Sequence, residues 1–570
     1  MFTKLIILVL NLRAFFGCQY IRMKKIISSF LKRDSSANLS HRLSWLADLS
    51  QSNDTDRLRV CIKHITSILN DTSLINSEKI GLLFTILDEN SDAVAHQITI
   101  FAKSDNLKQE IIDQIVDANY AYHRIIFLAL IKLTEISFTR TSHQQPNQEI
   151  KLKLIARALI SAIDMLKWRY FQHATAPANL WKQASTLYKY AQTDALNKQE
   201  IKAYKNMPDT TIDSLMLQLY MLGGLNFNNL IKQQLEIIAE LLPIWTKDIR
   251  VKTQLESYHT FYIDLNKDQP ARSVRLSTPT VLCLYWDLDE IEYTIKQSIE
   301  LISHNKKSPL LDYIKIQNPI LLREALLFLK KEWSRNEYKR QRRKESRSEI
   351  TKQAFVNIGI KSVCELMDQL DLNAQSIRTL MDGTLNERKQ TTSLVMKGST
   401  NTLVVGKEKW NITDESQQGL GTLIQGNKKL QIKPNKLVSI LTTKSHARPA
   451  VGVVRNIKQI AGGNFKIGME IFTDQPNLAY LKKFTVKNEF EPTQSTRQET
   501  AIEYAEFTCI YIPQNILSGH ISCLILPKSE YIPNSFYEVR FKNKREIIKL
   551  ENPIEYGDDW IKVNFPEDLL

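Results

Sequence analysis

Two short constellations in this chain have residue types and spacings suited to chemistry. The first, Arg340-Gln341-Arg342-Arg343-Lys344-Glu345-Ser346-Arg347, contains an Arg-x-x-x-Arg pair at Arg343 and Arg347. A guanidinium is a planar fork of donors. It matches phosphate oxygens two at a time, and it can also reach guanine O6 and N7 or stack on a base. An Arg-rich run is equally the composition of a solvated linker, in which this spacing arises by chance. The second constellation, Asp414-x-Ser416-x-x-Gly419, leaves the apolar segment Trp410-Asn411-Ile412. Residues two apart on a strand share a face, so the Asp414 carboxylate and Ser416 hydroxyl would together accept from N–H donors such as guanine N1 and N2. Gly419 would let backbone approach a ligand. The same residues also suit an Asp/Ser turn closed by glycine.

Catalytic signatures are missing. Gly421 to Gly426 has the interval of a phosphate-binding loop, but Asn427 stands where a lysine is required. There is no His-Glu-x-x-His helix and no Gly-x-Ser-x-Gly elbow, and the ten histidines show no ligand spacing. Asp287, Asp289 and Glu290 would suit a hard cation, yet carboxylates also complement the dipole at a helix start. The six cysteines include no pair at the two-residue spacing of zinc or redox sites, so they read as small hydrophobes in a reducing compartment. The expectation is a protein that is not an enzyme, with no catalytic residues, no metal and no cofactor.

Elements must hold these residues, and glycine usage divides the chain between two kinds. Only Gly17, Gly81, Gly223 and Gly224 precede Gly359, while the other thirteen of the 17 glycines lie from Gly359 onward. Helices avoid glycine and strand connections use it. The glycine-poor part returns apolar residues every three or four positions. One stripe is Leu154-Ile155, Ala158-Leu159, Ala162-Ile163, Leu166 and Tyr170. A second is Trp181, Ala184, Leu187-Tyr188 and Ala191, and a third runs from Ile231 to Trp245, where Pro243 is expected to kink or end the helix. Each predicts a helix with one buried stripe. No fixed-period repeat is present, and His143 to Asn147 and Asp264 to Pro279 read as connections. From Leu403 onward, short β-type runs separated by Gly, Asn and Pro predict an antiparallel barrel or sandwich. They include Leu403 to Val405, Trp410 to Ile412, Leu437 to Ile440, Ala450 to Val454 and Phe465 to Met469. Further runs begin at Phe507, Ile521, Tyr537 and Trp560.

Length and charge set the outer limits. At 570 residues the chain accommodates several domains, and a 43% hydrophobic and 24% charged composition is that of a folded protein. The net charge of +15 favours anionic partners. Residues 331 to 347 carry 8 basic and 3 acidic side chains, only +5, and no aromatic platform follows, which argues against DNA or RNA. The apolar run Leu5 to Leu12 is too short to span a bilayer, and Met23-Lys24-Lys25 reads as an alternative start. No integral membrane span is expected, and the location is expected to be cytoplasmic.

The motifs occur in an informative order: the Arg-rich segment, then Asp-x-Ser-x-x-Gly, then Ala450-Val451-Gly452-Val453-Val454-Arg455, then Ile467-Gly468-Met469-Glu470. In this order the chain resembles the PilZ domain, a bacterial six-stranded barrel that binds cyclic di-GMP. The resemblance covers residues 335 to 490. It implies a cyclic di-GMP receptor in which Arg343 and Arg347 clamp phosphate and guanine and Asp414, Ser416 and Gly419 hold a guanine edge. Arg340 and Arg342 would add contacts. The 67 positions from Arg347 to Asp414 exceed the family's usual spacing. Either a strand and helix within Ile350 to Ser399 are inserted between clamp and barrel, or the Arg run is not the clamp and binding has been lost.

The expected architecture is multidomain α plus β. Residues 1–37 form a leader or mis-assigned start, and 38–334 an all-α helical domain, bundle or solenoid-like. Residues 335–400 form a basic linker with an inserted segment, 401–490 a PilZ-like antiparallel barrel and 500–570 a further β extension. The expected function is second-messenger signalling by domain rearrangement, with an unidentified protein partner on the helical domain. The competing expectation is an adaptor whose barrel has lost the nucleotide.

Overall fold

Helices dominate the first part of the chain because its apolar residues recur at helical spacing and its helix starts are capped. A computed structural model describes residues 42–49, 52–104, 107–139, 146–275, 281–333, 348–383, 408–416, 419–425, 432–442, 449–484, 505–514, 521–541 and 544–565. The chain divides into two units, residues 1–340 and 341–570. The first contains α1 (Trp45–Asp48), α2 (Asp54–Asn70), α3 (Asn76–Lys103), α4 (Gln109–Thr139), α5 (Gln148–Phe171), α6 (Leu180–Thr193), α7 (Ile212–Gly223), α8 (Lys232–Thr246), α9 (Asp289–Ser303) and α10 (Pro319–Trp333). Asn53, Asn147 and Thr211 cap α2, α5 and α7, each side chain accepting from the backbone N–H three residues on.

The α5 helix departs from the one-stripe expectation. It packs against α4, α6, α7 and α8, so its sides are covered and Lys151, Arg157 and Lys167 are buried along with the apolar stripe. Buried charge requires partners. Arg157 has them: Nε donates to the Ala203 carbonyl at 2.9 Å and Nη1 to the Phe84 carbonyl at 3.1 Å, while Nη2 pairs with Asp88. Its guanidinium lies 4.4 Å from the ring centroids of both Phe84 and Tyr204. One side chain thereby ties α3, α5 and the chain around Ala203.

Pro243 does not end its helix. It lies in the last turn of α8, which continues to Thr246 at the loss of one backbone donor. The acidic cluster falls at the start of α9, where Asp287 accepts from the Asp289 N–H at 3.4 Å. Among the described residues no group of three or more His, Cys, Asp or Glu is placed to hold a metal. The stretch Asp264 to Pro279, expected as a connection, supplies part of a small antiparallel sheet. It comprises β1 (Phe261–Asp264), β2 (Arg272–Ser273) and β3 (Cys283–Trp286), in the order β2-β1-β3. Strands of two to four residues are too short to leave a period in the sequence.

The second unit opens with β4 (Ser348–Ile358) and α11 (Ile360–Gly383). Then follow β5 (Glu408–Ser416), β6 (Gly419–Ile424), β7 (Leu437–Thr442), β8 (Ala450–Gln459) and β9 (Phe465–Thr473). The six strands close into a barrel in the order β4-β5-β6-β9-β8-β7. Its interior is filled by side chains such as Trp410, Ile412, Leu420, Val454, Ile467 and Met469. The strand expected inside an inserted segment is thus a stave of the barrel itself, which begins at Ser348 instead of residue 401. Without β4 the sheet would keep two open edges. The run Leu403 to Val405 lies outside the described residues.

Beyond the barrel, β10 (Asn477–Phe484), β11 (Phe507–Ile512), β12 (Cys523–Pro527), β13 (Phe536–Phe541), β14 (Lys544–Lys549), β15 (Glu555–Tyr556) and β16 (Trp560–Asn564) form a second sheet. Its order is β14-β13-β10-β11-β12-β16-β15. The β10 strand, within the span expected for the barrel, pairs with β11 and β13 of this sheet. One face of the sheet meets α11 and the barrel wall in a shared core. There Val363 and Cys364 pack with Leu437, Val453, Ile510 and Trp560. Its other face buries Leu481, Cys509, Tyr511, Leu524 and Val539. Both faces being buried explains the continuous apolar runs of these strands. Between β4 and α11, Gly359 has φ +88°, a region that L side chains rarely adopt, and the Ile360 N–H donates to Asp559 Oδ2 at 3.0 Å. Among the described residues no helix is long and apolar enough to cross a membrane.

Candidate ligand site on the barrel wall

Asp414 lies near the end of β5, and a β-bulge decides which way it faces. Trp410 and Ile412 point into the barrel, and simple alternation would send Asp414 inward as well. The register shifts instead: Ile412 pairs with Thr422 and Asp414 with Gly421, so the two-residue step on β5 matches one step on β6. Leu420 belongs to the interior, so its neighbours Gly419 and Gly421 face outward, and Asp414 and Ser416, their cross-strand partners, face outward with them. Re-aiming one side chain is a common use of a bulge. The carboxylate and hydroxyl that the sequence placed on one face do share one, on the outside of the barrel.

There the Asp414 carboxylate lies across Gly421. A Cβ at Gly421 would fall within 2.5 Å of both carboxylate oxygens, so a glycine is needed beneath it. Asp414 is buried, and Lys466 of β9 approaches with Nζ 3.4 Å from Oδ2. Ser416 Oγ donates to the Gly419 carbonyl at 3.2 Å, which leaves its lone pairs as acceptors, and Thr413 Oγ1 donates to the Gly421 carbonyl at 3.2 Å. Beside the motif, Lys352 Nζ is 2.9 Å from Glu415 Oε2.

The Arg run itself, with Arg340, Arg342, Arg343 and Arg347, lies outside the described residues. Its attachment point does not. Arg347 is bonded to Ser348, the first residue of β4, and β4 pairs with β5 so that Ser348 is opposite Glu415 and Glu349 opposite Asp414. The 67-position interval runs from the residue that precedes one stave to a residue of the neighbouring stave. The expected insertion between clamp and barrel is therefore built into the barrel (β4) and the core beneath it (α11).

Two quoted strand motifs also reach this wall. Gly468 is the cross-strand partner of Gly421, and Glu470 that of Gly419. Arg455 pairs with Glu470 at 2.6 Å and with Glu555 of β15. Burial opposes its charge, but Glu555 and Glu470 outweigh burial and hold its pKa above the ordinary value. Sequence reasoning missed Gly421, Lys466 and the bulge at Thr413. The signal for the glycine was present, since Gly419-Leu420-Gly421 alternates absent and bulky side chains along a strand.

No curated protein and no solved structure matches this chain. Residues 41–255, within the helical unit, match the family model described as cyclic-di-GMP receptor FimW, N-terminal domain.

Proposed function

We propose that this protein is a cyclic di-GMP receptor with a PilZ-type site on its barrel, acting by binding and not by catalysis. Asp414 and Ser416 accept from a guanine edge, Gly419 admits the ligand to the backbone, and Arg343 and Arg347, flanked by Arg340 and Arg342, clamp phosphates and base. The pairing of Glu349 with Asp414 carries the reading, because it joins the strand that follows the Arg run to the strand of the acceptor motif. The helical unit supports it separately, through its similarity to the N-terminal domain of a cyclic-di-GMP receptor. That similarity falls on the part of the chain for which sequence motifs offered no function.

Capture of the ligand by the Arg run fixes the segment joining the two units. Occupancy is thereby relayed to the helical unit, whose output is contact with another protein in the cytoplasm. A ligand shifts such an equilibrium only by its differential affinity for the two states. Calorimetric titration of the full chain with cyclic di-GMP tests the reading, with Arg343→Ala/Arg347→Ala and Asp414→Ala alongside. The expected result is micromolar or tighter binding, about 8 kcal/mol or more, abolished in both variants. A folded protein that gives no binding would overturn it and leave the barrel as a scaffold.

A further inference from the structure

A second bulge mirrors the first. On β8 the register shifts between Val454, which pairs with Met469, and Asn456, which pairs with Gly468. Val454 and Ile457 point into the barrel, so the shift turns Asn456 out onto the same wall as Asp414. Its amide lies across Gly468: a Cβ there would fall 2.6 Å from Nδ2 and 2.8 Å from Oδ1. Across β5, β6, β9 and β8 the wall thus reads Asp414, Gly421, Gly468, Asn456, each paired with the next. The two polar side chains lean inward from opposite sides over two adjacent glycines.

Neighbouring strands are about 4.8 Å apart, so the carboxylate over β6 and the amide over β9 stand about one strand apart. Asp414 is acceptor-only, whereas an amide both donates and accepts. A carboxylate beside an amide N–H₂ presents acceptor, acceptor and donor in sequence. That sequence complements guanine, whose N2–H and N1–H donors are followed by the O6 acceptor. Adenine offers the opposite pattern at N1 and N6.

We infer that Asn456 is a specificity-determining residue of the barrel-wall site, donating its amide to guanine O6 while Asp414 takes N1 and N2. The inference rests on the reading under Proposed function and adds a residue outside the motifs that led to it. A good pair of base-edge hydrogen bonds is worth about tenfold or more in discrimination.

The test is titration of the full chain with cyclic di-GMP and, separately, cyclic di-AMP, for the wild type, Asn456→Leu and Gly468→Ala, with circular dichroism and Tm for each. Gly468→Ala leaves Asn456 intact but pushes its amide off the wall. Both variants are expected to keep the fold and to lose about tenfold or more in cyclic di-GMP affinity, with cyclic di-AMP unchanged, so that selectivity narrows. An equal loss for both ligands would assign Asn456 a structural role and overturn the inference, as would unchanged cyclic di-GMP binding. Wild-type protein that binds neither ligand would overturn both the inference and the receptor reading, which distinguishes the two failures.

Discussion

Glu349 stands directly opposite Asp414 in the β4–β5 ladder, although 65 positions separate them in the chain. This pairing brings the strand that follows the Arg run alongside the acceptor motif. It turns an apparent defect of sequence spacing into a property of barrel closure.

The register can be tested by cross-linking. Ser348→Cys/Glu415→Cys places two thiols at directly paired positions, where the roughly 4.5–5.5 Å between Cα atoms of opposed residues suits a disulfide. Mild oxidation should form the bond in high yield, read as a linked peptide pair after proteolysis. A control pair shifted by one residue, Ser348→Cys/Ser416→Cys, should form it poorly. Equal yields would show that β4 does not hold this register.

Gly421 supports Asp414 by having no side chain. Gly421→Val should leave the barrel folded, because the position faces outward, while displacing the carboxylate that now lies across it. Cyclic di-GMP affinity should fall by about tenfold or more with little change in Tm. Retained affinity would mean that the observed Asp414 position is not the binding one.

Arg157 is a buried charge that ties three segments of the helical unit together. It is fully buried and serves two carbonyls, one carboxylate and two rings. Arg157→Leu keeps apolar volume but removes the bonds to the Phe84 and Ala203 carbonyls and to Asp88 together, and should cost about 1–3 kcal/mol. Urea unfolding of the helical signal should show the loss. A cost below about 1 kcal/mol would contradict the network's importance.

Burial of His123 should make the helical unit sensitive to acid. Burial lowers its pKa from the ordinary 6.5; Asp164 opposes that shift and Lys167 adds to it. With the folded value depressed, the unfolded chain binds more protons below pH 6.5. The stability from a neutral His123 is therefore complete above pH 6.5 and is lost as pH falls toward the folded pKa. Thermal unfolding between pH 7.5 and 5 should lower Tm more steeply in the wild type than in His123→Gln. Parallel profiles would show that His123 is not the group responsible.

Much of this protein was legible from its residues. Helical spacing and scarce glycine set the first unit, because burying one face of a helix imposes a period on the sequence, and short apolar runs punctuated by Gly, Asn and Pro set the second. The Asp-x-Ser-x-x-Gly motif fixed its own local geometry, since two residues apart on a strand means one face. Tertiary structure decided the rest. Whether Asp414 faces the core or solvent depends on a bulge of one residue, which leaves no pattern in a single strand. The places of β4, Gly421, Gly468 and Asn456 follow from pairings between strands distant in sequence, and these are settled only when the barrel closes and every edge finds its partner.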